Sequence, residues 1–487
     1  MHMRRCGMLL AVGILLCTAP PAALAAGTVY YVAPYGSNAG PGTREAPWAT
    51  PGYGSKQMQS GDTLIILGGR YALSEWNADI ITPPSGGAAA WTVVKGEEGH
   101  RPVLAGRDDL YAAVILEGGS YVRVENLEIT HDVEPSGAAA HFRGGIAGSG
   151  EPASHIVLKD LYIHHIDDMG IDFQDVDDMQ VINCRIEYCG SGAVSSPVAE
   201  HGGWHDVRLQ HCTLSWSGHY YQGGDGSDPP YDRPDGLGIE PAAGPLLIED
   251  CVAEHNYGDG LDSKVANTVI RRCIVANNSC DGIKLWDTGS RVENTLVYGR
   301  GDGDEQRTPW APVVIHTAMP GATFEMVNCT VDDQLGGNYI MAVQYDDPDV
   351  RLGLVLKNTI FRQMGEASTG LFVGAGTTLT AENNLFYTPN QDVVLQHGSR
   401  LYTSSDIHML GDGNLYADPR FVRPAWGSSG DYHLRAGSAA IDAASHDAAP
   451  PQDLEGRQRD ARPDIGAYEY WRPSAWVWLP MILKAWR

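Results

Sequence analysis

Positive charge is scarce in this chain. Lys and Arg number 34 against 60 Asp and Glu, a formal charge of −26 over 487 residues. Such a surface repels phosphate backbones and anionic headgroups, which excludes nucleic acid and charged membranes as partners. Cysteine is sparse too. There are nine, and Cys6 and Cys17 fall in the N-terminal 25 residues. The seven that remain are an odd number, so disulfides are not the scaffold. Helical periodicity is nearly absent, and no strand pattern spans ten residues. Long apolar runs are also few. Met8 to Cys17 follows Arg4 and Arg5 and precedes Ala23-Leu24-Ala25, the layout of a secretory signal, so residues 1–25 are expected to be removed on export. Trp476 to Leu483 is too short to span a bilayer and is broken by Pro480, so the mature chain is expected to have no transmembrane helix.

What is present is Gly, Tyr and Trp in number (58, 22 and 12), as in a turn-rich all-β protein. One phrase recurs: Gly144-Gly145-Ile146, Met169-Gly170-Ile171-Asp172, Asp235-Gly236-Leu237-Gly238-Ile239, Asp259-Gly260-Leu261-Asp262-Ser263-Lys264 and Asp281-Gly282-Ile283-Lys284-Leu285-Trp286. Successive occurrences lie 25, 24 and 22 residues apart wherever no insertion intervenes. That step suits one coil of a parallel β-solenoid and is too short for a helical pair. A second phrase, a β-branched run ending in a turn residue, places Cys184, Cys212, Cys251, Cys273 and Cys329 at equivalent positions, as expected of small apolar side chains stacked inside the coils. The expected fold is an all-β, right-handed parallel β-helix. Its expected parts are a cap with the first coils over 26–90, the β-helix over 91–398, a C-terminal cap module over 399–470 and a tail over 471–487. Polar insertions between Ser196 and Asp235 and between Gly299 and Pro312 are expected to overhang one face. A solenoid of this kind is expected to be monomeric.

Side chains alternate along a strand. With Ile171, Leu237, Leu261 and Ile283 stacked inward, Asp262 and Lys284 point outward on adjacent coils about 5 Å apart, with Gly238 and Asp172 further down the same column. Asp235, Asp259 and Asp281 begin their strands and aim into this cleft from its edge. Carboxylates from stacked coils make an oxygen-rich site suited to Ca2+. The plainer alternatives are that each Asp of an Asp-Gly pair caps a turn, and that Lys284 merely pairs with Asp262 across the strands. Lys264 and Trp286 share the outward face, and Glu240 and Lys264 form a neighbouring column in which they can pair.

His255-Asn256-Tyr257-Gly258-Asp259-Gly260-Leu261-Asp262, followed one coil later by Asn277 through Leu285, resembles the calcium-and-lysine segment of the family 9 polysaccharide lyases, the pectate lyase-like β-helix enzymes. The opening stretch from Tyr30 to Leu67 resembles the start of secreted β-helix carbohydrate enzymes, and motifs from Asp418 to Glu469 resemble the choice-of-anchor module of bacterial surface proteins. The first resemblance implies Lys284 as the catalytic base and Asp259 and Asp262, with Asp235 as a further ligand, as the holders of Ca2+; Lys264, Trp286 and Asp172, on the same outward face, are the expected substrate contacts. Gly258 stands where that family usually shows another aspartate. The implied protein is secreted or attached to the cell surface and cleaves an acidic polysaccharide by β-elimination. Two other readings use the same residues. A glycoside hydrolase would take its acid and base from Asp172, Asp259 and Asp262. A non-catalytic surface protein would bind glycans through Trp204, Trp216, Trp286 and Trp310.

Overall fold

The computed structural model describes residues 27–132, 142–219, 234–344 and 349–471. The signal sequence and the tail beyond 471 lie outside these residues, as does part of the first insertion. Among the described residues no helix is long and apolar enough to cross a membrane.

Three long parallel sheets run the length of the molecule, so the fold is a parallel β-helix. The first sheet stacks thirteen strands from Val29–Val32 to Thr377–Glu382, and the second stacks thirteen from Arg70–Leu73 to Leu415–Tyr416. The third has twelve: eleven parallel strands from Leu110–Ile115 to Val393–His397, closed by the antiparallel strand Arg400–Tyr402. Parallel pairing begins at Val29, within the segment expected to hold a cap and the first coils. The capping element proper is the short helix Pro51–Gln57. A Cβ on its Gly54 would come within 2.9 Å of Val32 Cγ2, a spacing that lets the helix backbone lie directly on the first-sheet core.

Each coil turns from the first sheet to the second through one residue in the left-handed region. Asn126, Asp160, Asn183, Asp250, Asn328, Asn358 and Asn383 hold φ between 50° and 55°. Asn and Asp tolerate this conformation best among residues with a side chain, which explains the recurring turn residue of the second phrase. The next position points inward. Cys184, Cys212, Cys251, Cys273 and Cys329 stack there as buried free thiols, and Thr295, Thr359, Asn384 and Asn414 continue the column. Acceptors in this column take backbone N–H groups from the coil before: Cys212 N–H donates to Cys251 Sγ, Thr359 N–H to Asn384 Oδ1 and Asn384 N–H to Asn414 Oδ1. Cys189 is also buried, and Cys280 is partly exposed.

In the third sheet Ile146, Ile171, Val194, Leu237, Leu261, Ile283, Val313 and Met341 pair successively in register, and all are buried. The four residues expected to stack inward lie in this column.

The C-terminal segment differs from its expected place. Only its beginning closes the last coil; residues 421–468 run back along the outside of the second sheet. Phe421, Tyr432, Leu434, Ile465 and Ala467 pack with Ala276, Leu296, Tyr298, Ile360 and Leu385. The turn asparagines anchor it: Asn358 donates to Ser445 O, Asn328 to Asp464 O, and Asn294 to Gln452 O. Repeated turns therefore leave a row of amides that a returning chain can satisfy. Replacing an inward residue tests the register. Leu261→Asp places an unpaired charge in the stack at a cost of roughly several kcal/mol, and it is expected to yield no soluble, cooperatively folded protein. A soluble variant with a sharp thermal transition would contradict this register.

Candidate active site and cation centre

The outward column of the third sheet reads Asp172, Ser195, Gly238, Asp262, Lys284 in direct register. The preceding turn adds Asp235, Asp259 and Asp281 from three successive coils. Each of these accepts a backbone N–H from the next coil, and two of them also engage Lys284. Asp235 Oδ1 accepts the Asp259 N–H at 2.6 Å, Asp259 Oδ1 accepts the Asp281 N–H at 2.8 Å, and Asp281 Oδ1 accepts the Ala311 N–H at 2.9 Å. One oxygen thus ties the next coil in place, as turn capping requires. On Asp259 and Asp281 the other oxygen turns to Lys284, whose Nζ lies 2.7 Å from Asp259 Oδ2 and 3.1 Å from Asp281 Oδ2. The ion pairs of Lys284 are therefore with the strand-entry carboxylates, whereas Asp262, its register neighbour, accepts the Trp286 indole N–H at 2.6 Å. Alternation shows only which way a side chain leaves the strand, and lysine is long enough to reach back to the turn. Asp281, Lys284's second partner, was expected at the edge of the cleft or as a turn cap but not among the site residues, although its i, i+3 spacing to Lys284 is visible.

Asp235, Asp259 and Asp262 each offer an oxygen, and these atoms lie within 4.8 Å of one another. Burial, followed by the charges of Asp259 and Asp262, raises the Asp235 carboxyl well above its ordinary range. Burial and then Asp259 push Asp262 up to about 6, against the pull of Lys264 and Lys284. Burial opposes charge on Lys284, but Asp259 and Asp281 outweigh it and hold the ammonium protonated, with its pKa raised. Three crowded carboxylates, two of them reluctant to ionise without a counter-charge, are a donor set that fits a hard divalent cation.

This cluster forms one wall of a cleft of about 770 Å3, which Asp168, Asp172, Ser195, Glu240, Lys264 and Trp286 also line. Gly238 keeps the floor low, since a Cβ there would stand 3.1 Å from Asp235 Oδ2. Lys264 is paired with Glu240 and sits 5.8 Å from the Trp286 ring centre. Asp172 accepts a hydrogen bond from Ser149 Oγ at 2.8 Å, and burial raises its carboxyl to about 6. All seven site residues expected from the sequence thus line one cleft. The four tryptophans of the glycan-binding reading do not act together. Trp204 is fully buried with its indole donating to Phe173 O, Trp216 is stacked between Tyr188 and His255, and only Trp286 and Trp310 reach the cleft region.

The sequence profile described as the Pel9A-like, right-handed β-helix region matches residues 30–304, more than half of the chain. The chain belongs to this family. Its coils are accordingly right-handed. No protein with a curated description matches it. Among solved structures, XylC in complex with xylose aligns at a TM-score of 0.60 and 11% identity, over 91% of this chain and 98% of XylC. The A-module of the mannuronan C-5 epimerase AlgE6 from Azotobacter vinelandii aligns at 0.52 and 14%, over 74% and 91%. Pectate lyase Pel9A aligns at 0.48 and 15%, over 91% and 96%. At these identities the likeness is one of fold.

Asp172 supplies a pH test of the cleft. Its folded pKa, about 6, exceeds the ordinary 3.8, so between these values the folded state binds more protons than the unfolded. Its contribution favours folding at low pH and is lost as pH rises through about 6. Asp172→Asn is therefore expected to gain stability relative to the parent between pH 4 and pH 7 in denaturant titrations. A difference that does not change with pH would contradict the burial assigned to this carboxyl.

Proposed function

We propose that this protein is a secreted, calcium-dependent polysaccharide lyase that cleaves a polyuronate by β-elimination, with Lys284 as the base. The observation that carries the reading is one ammonium held against Asp259 and Asp281, beside three carboxylates whose oxygens lie within 4.8 Å of one another. Asp235, Asp259 and Asp262 would hold Ca2+. Bound there, the ion supplies positive charge that offsets the carboxylates, receives the uronate carboxylate and acidifies the proton on the adjacent carbon.

The chain's own residues do the rest. Asp259 and Asp281 fix the position of Lys284 Nζ from two coils, so the base needs no reorganisation to meet the substrate. With the charge of Asp259 offset, Nζ gives up its proton more readily and takes the one next to the uronate carboxyl group. The electron pair left behind forms the ring double bond as the glycosidic oxygen departs and takes up a proton from solvent to become a hydroxyl. Trp286 orients Asp262 through its indole N–H and covers the column above it. Lys264 and Asp172 line the path of the sugar chain, and Gly238 leaves it room.

One observation favours a glycoside hydrolase as a second reading. A carboxyl raised to about 6, as in Asp172, is the kind of group that serves as a general acid near neutrality. Mutation separates the two. Lys284→Ala is expected to lower elimination by roughly 10^2- to 10^4-fold while calcium binding, measured by calorimetry, is kept, and to lower the calcium-free thermal transition because Asp259 and Asp281 lose their buried counter-charge. Asp262→Ala is expected to weaken calcium binding and to recover part of its activity at high calcium. A Lys284→Ala enzyme that forms unsaturated ends at the parental rate would overturn the assignment of the base.

A further inference from the structure

On the far side of Lys284 from the main cleft lies a second one of about 400 Å3, lined by Asp259, Cys280, Asp281, Lys284, Trp286 and the insertion residues Gln306 to Trp310. Its size falls within the range of small-ligand sites, about 300–1,000 Å3. Lys284, Trp286 and Asp259 border both clefts, which places the ammonium between two cavities.

The wall of this second cleft is braced at several points. Arg300 is buried against Asp333, at 2.9 Å, and donates to Pro309 O at 2.6 Å; Asn338 donates to the same carbonyl at 2.9 Å. Asp281 holds the Ala311 N–H, and the Trp426 indole of the returning C-terminal segment donates to Arg300 O. This anchored loop carries two side chains suited to a sugar. Trp310 is 46% exposed, with its ring centre 6.0 Å from Lys284 Nζ. The Arg307 guanidinium is stacked 4.1 Å from the Tyr257 ring centre and forms an ion pair with the exposed Asp304 at 3.5 Å. A stacked guanidinium is pre-oriented for a planar carboxylate.

The charges of the two clefts differ. Asp168, Asp172, Asp235, Glu240, Asp259 and Asp262 line the first against Lys264 and Lys284. The second is lined by two carboxylates, Asp259 and Asp281, against two cations, Lys284 and Arg307, so its formal charges balance where those of the first are strongly negative.

We propose that the 299–312 insertion forms a second sugar subsite beyond Lys284, in which Arg307 binds a uronate carboxylate and Trp310 carries the sugar ring. This rests on the lyase reading and deepens it. The substrate is a run of consecutive uronates that spans Lys284, cut within the chain, and is not an isolated uronate set among neutral sugars.

The test uses the full-length enzyme with calcium and oligogalacturonates and oligoalginates from dimer to octamer. Arg307→Gln and Trp310→Ala are expected to raise KM for long oligomers about tenfold, the scale of one charge-assisted contact. The dimer's KM, kcat on long oligomers, calorimetric calcium affinity and the thermal transition should stay close to the parent's. High salt should erase the parent's advantage over Arg307→Gln but not its advantage over Trp310→Ala. A KM for long oligomers that neither substitution changes, or an equal loss at every oligomer length, would overturn this inference while leaving the lyase reading intact. A parent that neither binds nor cleaves any of these oligomers would overturn both.

Discussion

The site depends on the in-register stacking of the third sheet. Leu237, Leu261 and Ile283 are locked one above another inside the coil, so Gly238, Asp262 and Lys284 are locked outside it at the same spacing. A slip of one residue would exchange the two columns and bury a carboxylate and an ammonium in the apolar stack. The hydrophobic core therefore does more than stabilise the solenoid. It fixes, to within a strand spacing, the positions of charged groups that would otherwise separate.

The concentrated negative charge is retained because the same carboxylates hold the backbone. Asp235, Asp259 and Asp281 form a ladder in which each accepts a peptide N–H from the next coil, so removing one would leave a donor unpaired. Structural and chemical roles are divided between the two oxygens of a single side chain. The price of that economy is electrostatic: Asp235 and Asp262 resist ionisation, and Lys284 is held protonated. A bound cation would relieve both strains together, which is why the acidic cluster and the lysine are read as one unit.

The fold was largely legible because a solenoid writes its period into the chain: the Gly-Ile and Gly-Leu phrases and the turn asparagines repeat once per coil. The inward or outward direction of Asp262 and Lys284 followed from alternation alone. The partner of Lys284 did not, since a long side chain on a strand can reach either its register neighbour or the preceding turn, and the choice is made by the backbone bonds of Asp259 and Asp281. The flank position of residues 421–468 was hidden for a related reason. Its anchors, Asn294, Asn328 and Asn358, read equally well as ordinary turn residues. Trp204 illustrates the opposite error, an aromatic that composition suggests for a binding platform but that the coil interior absorbs. Trp310 was a glycan-binding candidate from its residue type, but Arg307 lies in the same insertion without periodicity, where only the folded loop shows that it faces the groove.

Elimination and hydrolysis differ in the fate of one water molecule, and that difference is the most direct test of the lyase chemistry. The measurement is mass spectrometry of the products formed from pectate and from alginate by the parent protein, in 18O-enriched water with calcium. The account predicts products with unsaturated non-reducing ends and no 18O incorporated by cleavage, with no products formed when a chelator is present. Saturated products carrying one 18O per cleavage, formed equally well with the chelator, would contradict it.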